Sequence, residues 1–170
     1  APYADLTVSD VSGPDMVVGD PVDLTIRWKV TNRGTGTGSV DRWVDRVVLS
    51  RDAIYGNGDD VRLADVVHDG LVPVGAEYTE SRLLTTPLGL SGRFHLFVAT
   101  DVLDAVYEYT NTASNVAESA ALVDVMPRRY ADLVVNQVTG PATALNGSAT
   151  PLEPKRHARA RGQRRLLRRR

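Results

Sequence analysis

Residues 52–60, Asp52-Ala53-Ile54-Tyr55-Gly56-Asn57-Gly58-Asp59-Asp60, gather oxygen-bearing side chains on a glycine-containing segment. Calcium takes about six to eight oxygen ligands, and a short flexible loop can wrap around it. Asp52, Asn57, Asp59 and Asp60 could each supply a side-chain oxygen, with a backbone carbonyl added. Calcium is therefore the cofactor this loop suggests. The spacing departs from the EF-hand loop, whose acids alternate and which closes on a Glu. The same residue types also make an ordinary solvated turn, because Asp, Asn and Gly tolerate turn geometry. Asp101, Asp104 and Glu108 form a second, sparser acidic group, expected on a loop between the last two strands.

Catalysis has little to build on. The part of the chain before residue 128 holds two histidines, His68 and His95, both inside expected strands. His95 is out of phase with Phe94, Leu96 and Val98, so it should face solvent or a neighbouring module. No Gly-x-Ser-x-Gly elbow occurs; Gly89-Leu90-Ser91-Gly92 is one residue short of it and reads as a turn. Gly34-Thr35-Gly36-Thr37-Gly38 invites a phosphate-loop reading, but a phosphate site needs a helix after the glycines. A strand follows instead, so the glycines read as a hairpin or inter-sheet connection. No catalytic residue is expected, and the chain reads as a non-enzyme. Asn146-Gly147-Ser148 fits a glycosylation sequon and reads as a chance match.

The elements that would position these groups are strands. Val22, Leu24, Ile26, Trp28 and Val30 alternate with Asp23, Thr25, Arg27, Lys29 and Thr31, one face dry and one wet. Leu6, Val8 and Val11 mark a shorter strand before it, ended by Gly13-Pro14. Further strands are expected at residues 43–50, 61–68, 77–86, 93–100 and 115–125, separated by turn signals such as Asp69-Gly70 and Ser91-Gly92. No segment carries apolar residues at helical spacing. Seven short strands with regular turns predict an all-β, immunoglobulin-like or fibronectin-like antiparallel β-sandwich.

The first strand occurs twice. Residues 3–14, Tyr-Ala-Asp-Leu-Thr-Val-Ser-Asp-Val-Ser-Gly-Pro, return as residues 130–141, Tyr-Ala-Asp-Leu-Val-Val-Asn-Gln-Val-Thr-Gly-Pro. The offset is 127 residues without a gap, which suits a bead in a string of domains better than a solenoid repeat. Carrying the offset forward maps Val22, Leu24, Ile26, Trp28 and Val30 onto Ala149, Pro151, Glu153, Lys155 and His157. Charges and proline on a core face would be costly. The second copy should therefore stop at its first strand, leaving Leu133, Val135 and Val138 without a sheet. The expected organisation is a module at 1–126, a linker and truncated second module at 127–148, and an Arg-rich tail at 149–170 that reads as disordered or out of frame.

Charge divides along the same line. Nine of the 20 Lys and Arg residues fall in residues 155–170, with no acid among them, so the body before them is acidic. The tail has no interleaved aromatics for base stacking, and no nucleic-acid partner is expected. There is no cysteine, which excludes a disulfide framework and a thiolate metal site. No apolar run is long enough to span a membrane. The first residue is Ala1 and no basic-then-apolar leader follows it, so for an exported protein the signal is expected upstream or already removed.

Several segments combine into a pattern. Ala4–Val8 reads Ala-Asp-Leu-x-Val. Val30-Thr31-Asn32-Arg33-Gly34-Thr35 ends the alternating strand. Trp43, Asp45, Val48 (displaced by one), Leu49, Ser50 and Asp52 follow, then Val98-Ala99-Thr100-Asp101, Val106-Tyr107-Glu108 and Ser114-Asn115. This set resembles the CARDB family, the cell-adhesion-related domain found in bacteria, over residues 3–125, and restarts at Tyr130. Two positions depart: Ser114 stands for the family's first Asn, and a Thr stands for its usual second Glu. The resemblance implies an Ig-like sandwich, usually in tandem, in large secreted or surface proteins. The expected function is a non-catalytic extracellular spacer and adhesion module, at the cell surface or outside it. Its expected partners are neighbouring repeat modules and a cell-surface protein or polysaccharide. The alternative is a carbohydrate- or protein-binding module accessory to a secreted hydrolase, for which Tyr55, Tyr78, Tyr107 and Tyr109 are the available aromatics.

Overall fold

Wherever the sequence alternates apolar and polar residues, the backbone is extended. A computed structural model describes residues 2–109, 113–128, 133–139 and 153–158. The chain divides into two units, Ala1–Arg128 and Arg129–Arg170. The described strands of the first unit are β1 (Leu6–Ser12), β2 (Met16–Val18), β3 (Asp23–Asn32), β4 (Arg42–Ser50), β5 (Val61–Asp69), β6 (Glu77–Thr85), β7 (Gly92–Ala99), β8 (Val116–Glu118) and β9 (Val123–Met126). No helix among the described residues is long and apolar enough to cross a membrane.

Two sheets face each other. One has the order β1-β3-β6; the other runs β2-β9-β7-β4-β5, with β8 also on β7. β3 shows why they pack. Leu24, Ile26, Trp28 and Val30 are buried, while Asp23 and Arg27 on the other phase are exposed. They meet Val47, Leu49, Phe94, Leu96 and Val98 of the second sheet in one apolar cluster.

The seven expected strands are present, with three differences. The last of them is split in two: β8 and β9 both pair antiparallel with β7, and residues 119–122 interrupt the ladder. β2 is additional. It pairs parallel with β9, so that sheet is mixed rather than purely antiparallel. Third, the valine in phase with Trp43, Asp45 and Leu49 is Val47, which joins the main core. Val48 is buried outside that cluster, with Phe97 and Ala99. The strand motif therefore runs without displacement.

The chain comes in and leaves at opposite ends of the sandwich. β1 begins beside the end of β3, Leu6 opposite Asn32. β9 ends beside the end of β2, Val18 opposite Met126, and Gly19 N–H donates to Met126 O at 2.9 Å. Residues 19–22 lead directly into the start of β3. Ten residues of β3 separate the two ends by roughly 33 Å.

In the second unit, β10 (Leu133–Thr139) pairs antiparallel with β11 (Glu153–Ala158). The repeated strand is thus not left without a sheet, contrary to the sequence expectation. β11 occupies the stretch that the 127-residue offset assigns to β3. Its register is one residue away from the first copy's: Leu6 faces Asn32, but Leu133 faces Ala158 rather than residue 159. The sequon and the tail beyond Ala158 lie outside the described residues.

Candidate functional site

In the 52–60 loop, each carboxylate accepts from a donor of the loop or of the residue just before it. Asp52 Oδ1 accepts from Ile54 N–H at 2.9 Å, and both Asp52 oxygens accept from the Asn57 amide at 3.1 Å. Asn57 Oδ1 accepts from Asp59 N–H at 3.3 Å. Asp59 Oδ2 accepts from Arg51 N–H at 2.8 Å, and Asp60 Oδ2 from Gly56 N–H at 2.6 Å. These bonds bend the chain back as Asx turns do. Among the described residues, no group of three or more His, Asp or Glu side chains is arranged to hold a metal ion. One atom stands apart: Asp60 Oδ1 is buried without a hydrogen-bond partner. The loop also carries Tyr55, whose ring centroid lies 6.0 Å from that of Phe97.

A second acidic group sits inside the sandwich, at a position not expected to matter chemically. Asp45, 1% exposed, points inward from β4. Trp28 Nε1 donates to its Oδ2 at 2.8 Å, Thr100 Oγ1 to its Oδ1 at 2.6 Å, and the Tyr78 hydroxyl to its Oδ2 at 2.9 Å. Burial pushes the Asp45 pKa up, against the pull of these three donors. Trp43 Nε1 in turn donates to Tyr78 Oη at 3.1 Å. The His68 ring stacks on both, 4.2 Å from Trp43 and 3.9 Å from Tyr78. The sequence did hold a signal for this network, since a carboxylate on the dry phase of a strand must find donors.

Asp101, Asp104 and Glu108 do not converge on one point. Glu108 reaches the start of β1, where its Oε1 accepts from Leu6 N–H at 2.6 Å, and its Oε2 accepts from the Asn115 amide. Asp101 accepts from Ala105 N–H at 2.9 Å and Val106 N–H at 2.8 Å. Burial pushes the pKa of both carboxyls up. The two late motif positions therefore fasten loops and strand ends. Asn115 is 8% exposed, and its Oδ1 has no hydrogen-bond partner. Beside these groups opens a cleft of about 380 Å³, lined by Arg46, Tyr55, Thr100, Asp101, Asp104 and Asn115 among others. Arg46 is held by Asp65 through two bonds of 2.7 and 2.9 Å.

The remaining candidates are structural. His95 is half-buried and pairs with Glu118. The 34–38 glycine segment connects β3 in one sheet to β4 in the other, as its sequence suggested. Gly34 is required there, because a Cβ would stand 2.3 Å from Tyr3 O. Asn32 pins the segment, accepting from Asp5 and Gly34 N–H and donating to Gly36 and Val72 carbonyls. The tyrosines form no shared platform. Tyr78 is in the Asp45 network and Tyr55 is on the cleft. Tyr107 and Tyr109 are exposed, with Tyr109 stacked on Tyr3 at 5.5 Å.

No family model matches the chain, and no curated protein does. Solved structures do. The CARDB domain of a Pyrococcus furiosus protein, crystallised in complex with di-metal ions, is 23% identical with a TM-score of 0.52. That match covers 74% of this chain and 96% of the domain. The solution structure of the same domain gives 21% identity and a TM-score of 0.51, over 73% of this chain and 96% of that one. A β-glucosidase from Listeria innocua, in complex with glucose, is 16% identical with a TM-score of 0.46, over 73% of this chain and 16% of the enzyme. The chain resembles the CARDB domain in fold, in agreement with the motifs of its strands.

Proposed function

We propose that the chain is a non-catalytic spacer and adhesion module from a tandem-repeat bacterial surface or secreted protein. The observation that supports it most is the path of the backbone. The chain enters the first unit at one pole and leaves at the other, and a copy of its opening strand follows at a fixed offset. Beads joined in this way extend a string instead of folding back. The buried carboxylates Asp45, Asp101 and Glu108 hold backbone N–H groups and side-chain donors. Its partners in this reading are neighbouring modules and a protein or polysaccharide of the cell surface. Small-angle scattering of two complete first units joined by the native linker tests it. The maximum dimension should be about twice that of one unit; a value close to that of one unit would overturn it.

The cleft between Tyr55 and Asp104 favours a second reading, a carbohydrate-binding module accessory to a secreted hydrolase. Its lining combines an aromatic edge with polar groups, the mixture that sugar recognition uses. A glycan that binds the chain and is lost on Tyr55→Ala would establish this reading. Calcium at Asp52, Asn57, Asp59 and Asp60 rests on one atom, the buried Asp60 Oδ1, which an ion would satisfy.

A further inference from the structure

We propose that residues 130–141 are a second β1, able to occupy the β1 position of the first unit in another copy of this chain. The proposal does not depend on the spacer reading, because it rests on packing alone.

Among the described residues β1 is an edge strand, paired only with β3, so it can be replaced without opening the inner ladder. Its position reads a sequence at five places. Ala4, Leu6, Val8 and Val11 are buried. Gly13 is the fifth, because a Cβ there would stand 2.8 Å from Ile26 Cδ1. Their counterparts are Ala131, Leu133, Val135, Val138 and Gly140, the same residue at every place. The four differences, Thr7/Val134, Ser9/Asn136, Asp10/Gln137 and Ser12/Thr139, all fall where β1 is half-buried or exposed. Several further contacts use the backbone and so accept any sequence: Leu6 N–H to Glu108, Asp5 N–H to Asn32 Oδ1, and Arg33 N–H to Asp5 O. Two use side chains that the duplicate repeats, Asp5 accepting from Ser114 Oγ at 3.1 Å and Tyr3 stacking on Tyr109.

The duplicate has reason to move. Among the described residues of its own unit it pairs with one strand, in a register one residue away from the first copy's. Two strands alone are marginal in water. Val135 is 57% exposed there, whereas its counterpart Val8 is 5% exposed. The resident β1 keeps an advantage, since Asp10 pairs with Lys29 at 2.9 Å and holds a left-handed φ of 53° that Asp tolerates better than Gln. Exchange should therefore be latent, and should appear when β1 is crippled. Reciprocal exchange closes a dimer; one-way exchange builds a chain of copies.

The absence of cysteine makes cross-linking clean. Thr7 faces Thr31 in the β1–β3 register, so Val134 should face Thr31 of a second copy after exchange. The background variant carries Leu6→Asp and Val8→Asp to disable the resident strand. Thr31→Cys with Val134→Cys is then oxidised mildly and compared with Thr31→Cys with Asn136→Cys, which is two residues out of register. The expected result is disulfide-linked dimers and larger species, rising with concentration, at least about tenfold more for position 134 than for 136. Three outcomes overturn the proposal: no cross-link, cross-links within a single chain, or equal cross-linking at 134 and 136. Equal cross-linking is also what an unfolded variant would give, so a failure to fold counts against it.

Discussion

β1 and β10 share their apolar residues and differ in what surrounds them. Val8 lies in a core that also holds Ile26, Leu96 and Val123; Val135 lies on a two-stranded sheet and is mostly exposed. A run such as Leu-x-Val-x-x-Val specifies a strand and a dry face. It does not specify that the face will be covered. The cover comes from residues far along the chain, and Glu108, 102 positions away, supplies the hydrogen bond that starts β1.

The largest effect expected is a direct break of that comparison. Val8→Asp places a carboxylate in the core with no partner and should destabilise the first unit by about 3–5 kcal/mol. Val135→Asp should change its stability by less than about 0.5 kcal/mol. Thermal unfolding followed by tryptophan fluorescence separates them, because Trp28 and Trp43 are both in the first unit. Equal effects would mean that the two strands are equally covered, and the contrast would be lost.

Next in size is the tie that β1 has and the sequence of β10 cannot supply. Glu108→Ala leaves Leu6 N–H and the Asn115 amide without an acceptor, and should cost about 2–4 kcal/mol. Glu108→Gln keeps an acceptor for Leu6, removes a charge that burial disfavours, and lets Asn115 turn its unpartnered Oδ1 to accept from the new amide N–H, so its cost should stay below about 1 kcal/mol. Denaturant midpoints measure both. A Gln variant as damaged as the Ala variant would show that the negative charge, not the acceptor, holds the strand.

How much of this could be read beforehand follows the range of each interaction. β3 was legible because its alternation is local and ten residues long. β2 was not, since three residues between Gly13-Pro14 and Asp20-Pro21 are too few to show a period. The break at residues 119–122 follows from crossing between two segments of β7, which no local pattern records. Among site residues, Asp45 was legible as a carboxylate on a dry phase, but its donors Trp28, Tyr78 and Thr100 come from three other segments. The 52–60 loop shows the opposite difficulty. Its residue types suit both an ion and a set of Asx turns, and only the positions of the backbone N–H groups distinguish the two.

A smaller effect should appear with pH. Burial raises the carboxyl pKa of Asp45, Asp101 and Glu108 in the folded first unit. A raised folded pKa favours the protonated form, so that stability is present below the unfolded value of about 4 and is lost as pH rises through the folded value. Asp65 and Asp124 act the other way, since hydrogen bonds from Arg46 and Arg93 lower their pKa values and their stability is lost as pH falls. These two are surface pairs and count for less. The urea midpoint should therefore decline as pH rises from about 4 towards neutrality, and Asp45→Asn should flatten part of the decline. A midpoint that climbs steadily over this range would show that the surface pairs dominate. Asp45, Asp101 and Glu108 all lie in the first unit, so the response belongs to it.

Calcium should produce the smallest effect, and it tests the 52–60 loop of the first unit. Raising the melting temperature by several degrees requires about 1 kcal/mol, hence free calcium at about four times its dissociation constant. An ion at Asp60 Oδ1 would gain one unpartnered oxygen. To gain Asp52 as well, it must compete with the Asn57 amide, which donates to both carboxylate oxygens, and the displaced donor needs a new acceptor. The expected shift at millimolar calcium is therefore below about one degree. A rise of several degrees that chelator reverses would show that the loop rearranges around the ion. Asp60→Asn then tells which carboxylate leads: loss of the rise assigns it to Asp60, and an unchanged rise moves the ion to Asp52 and Asp59.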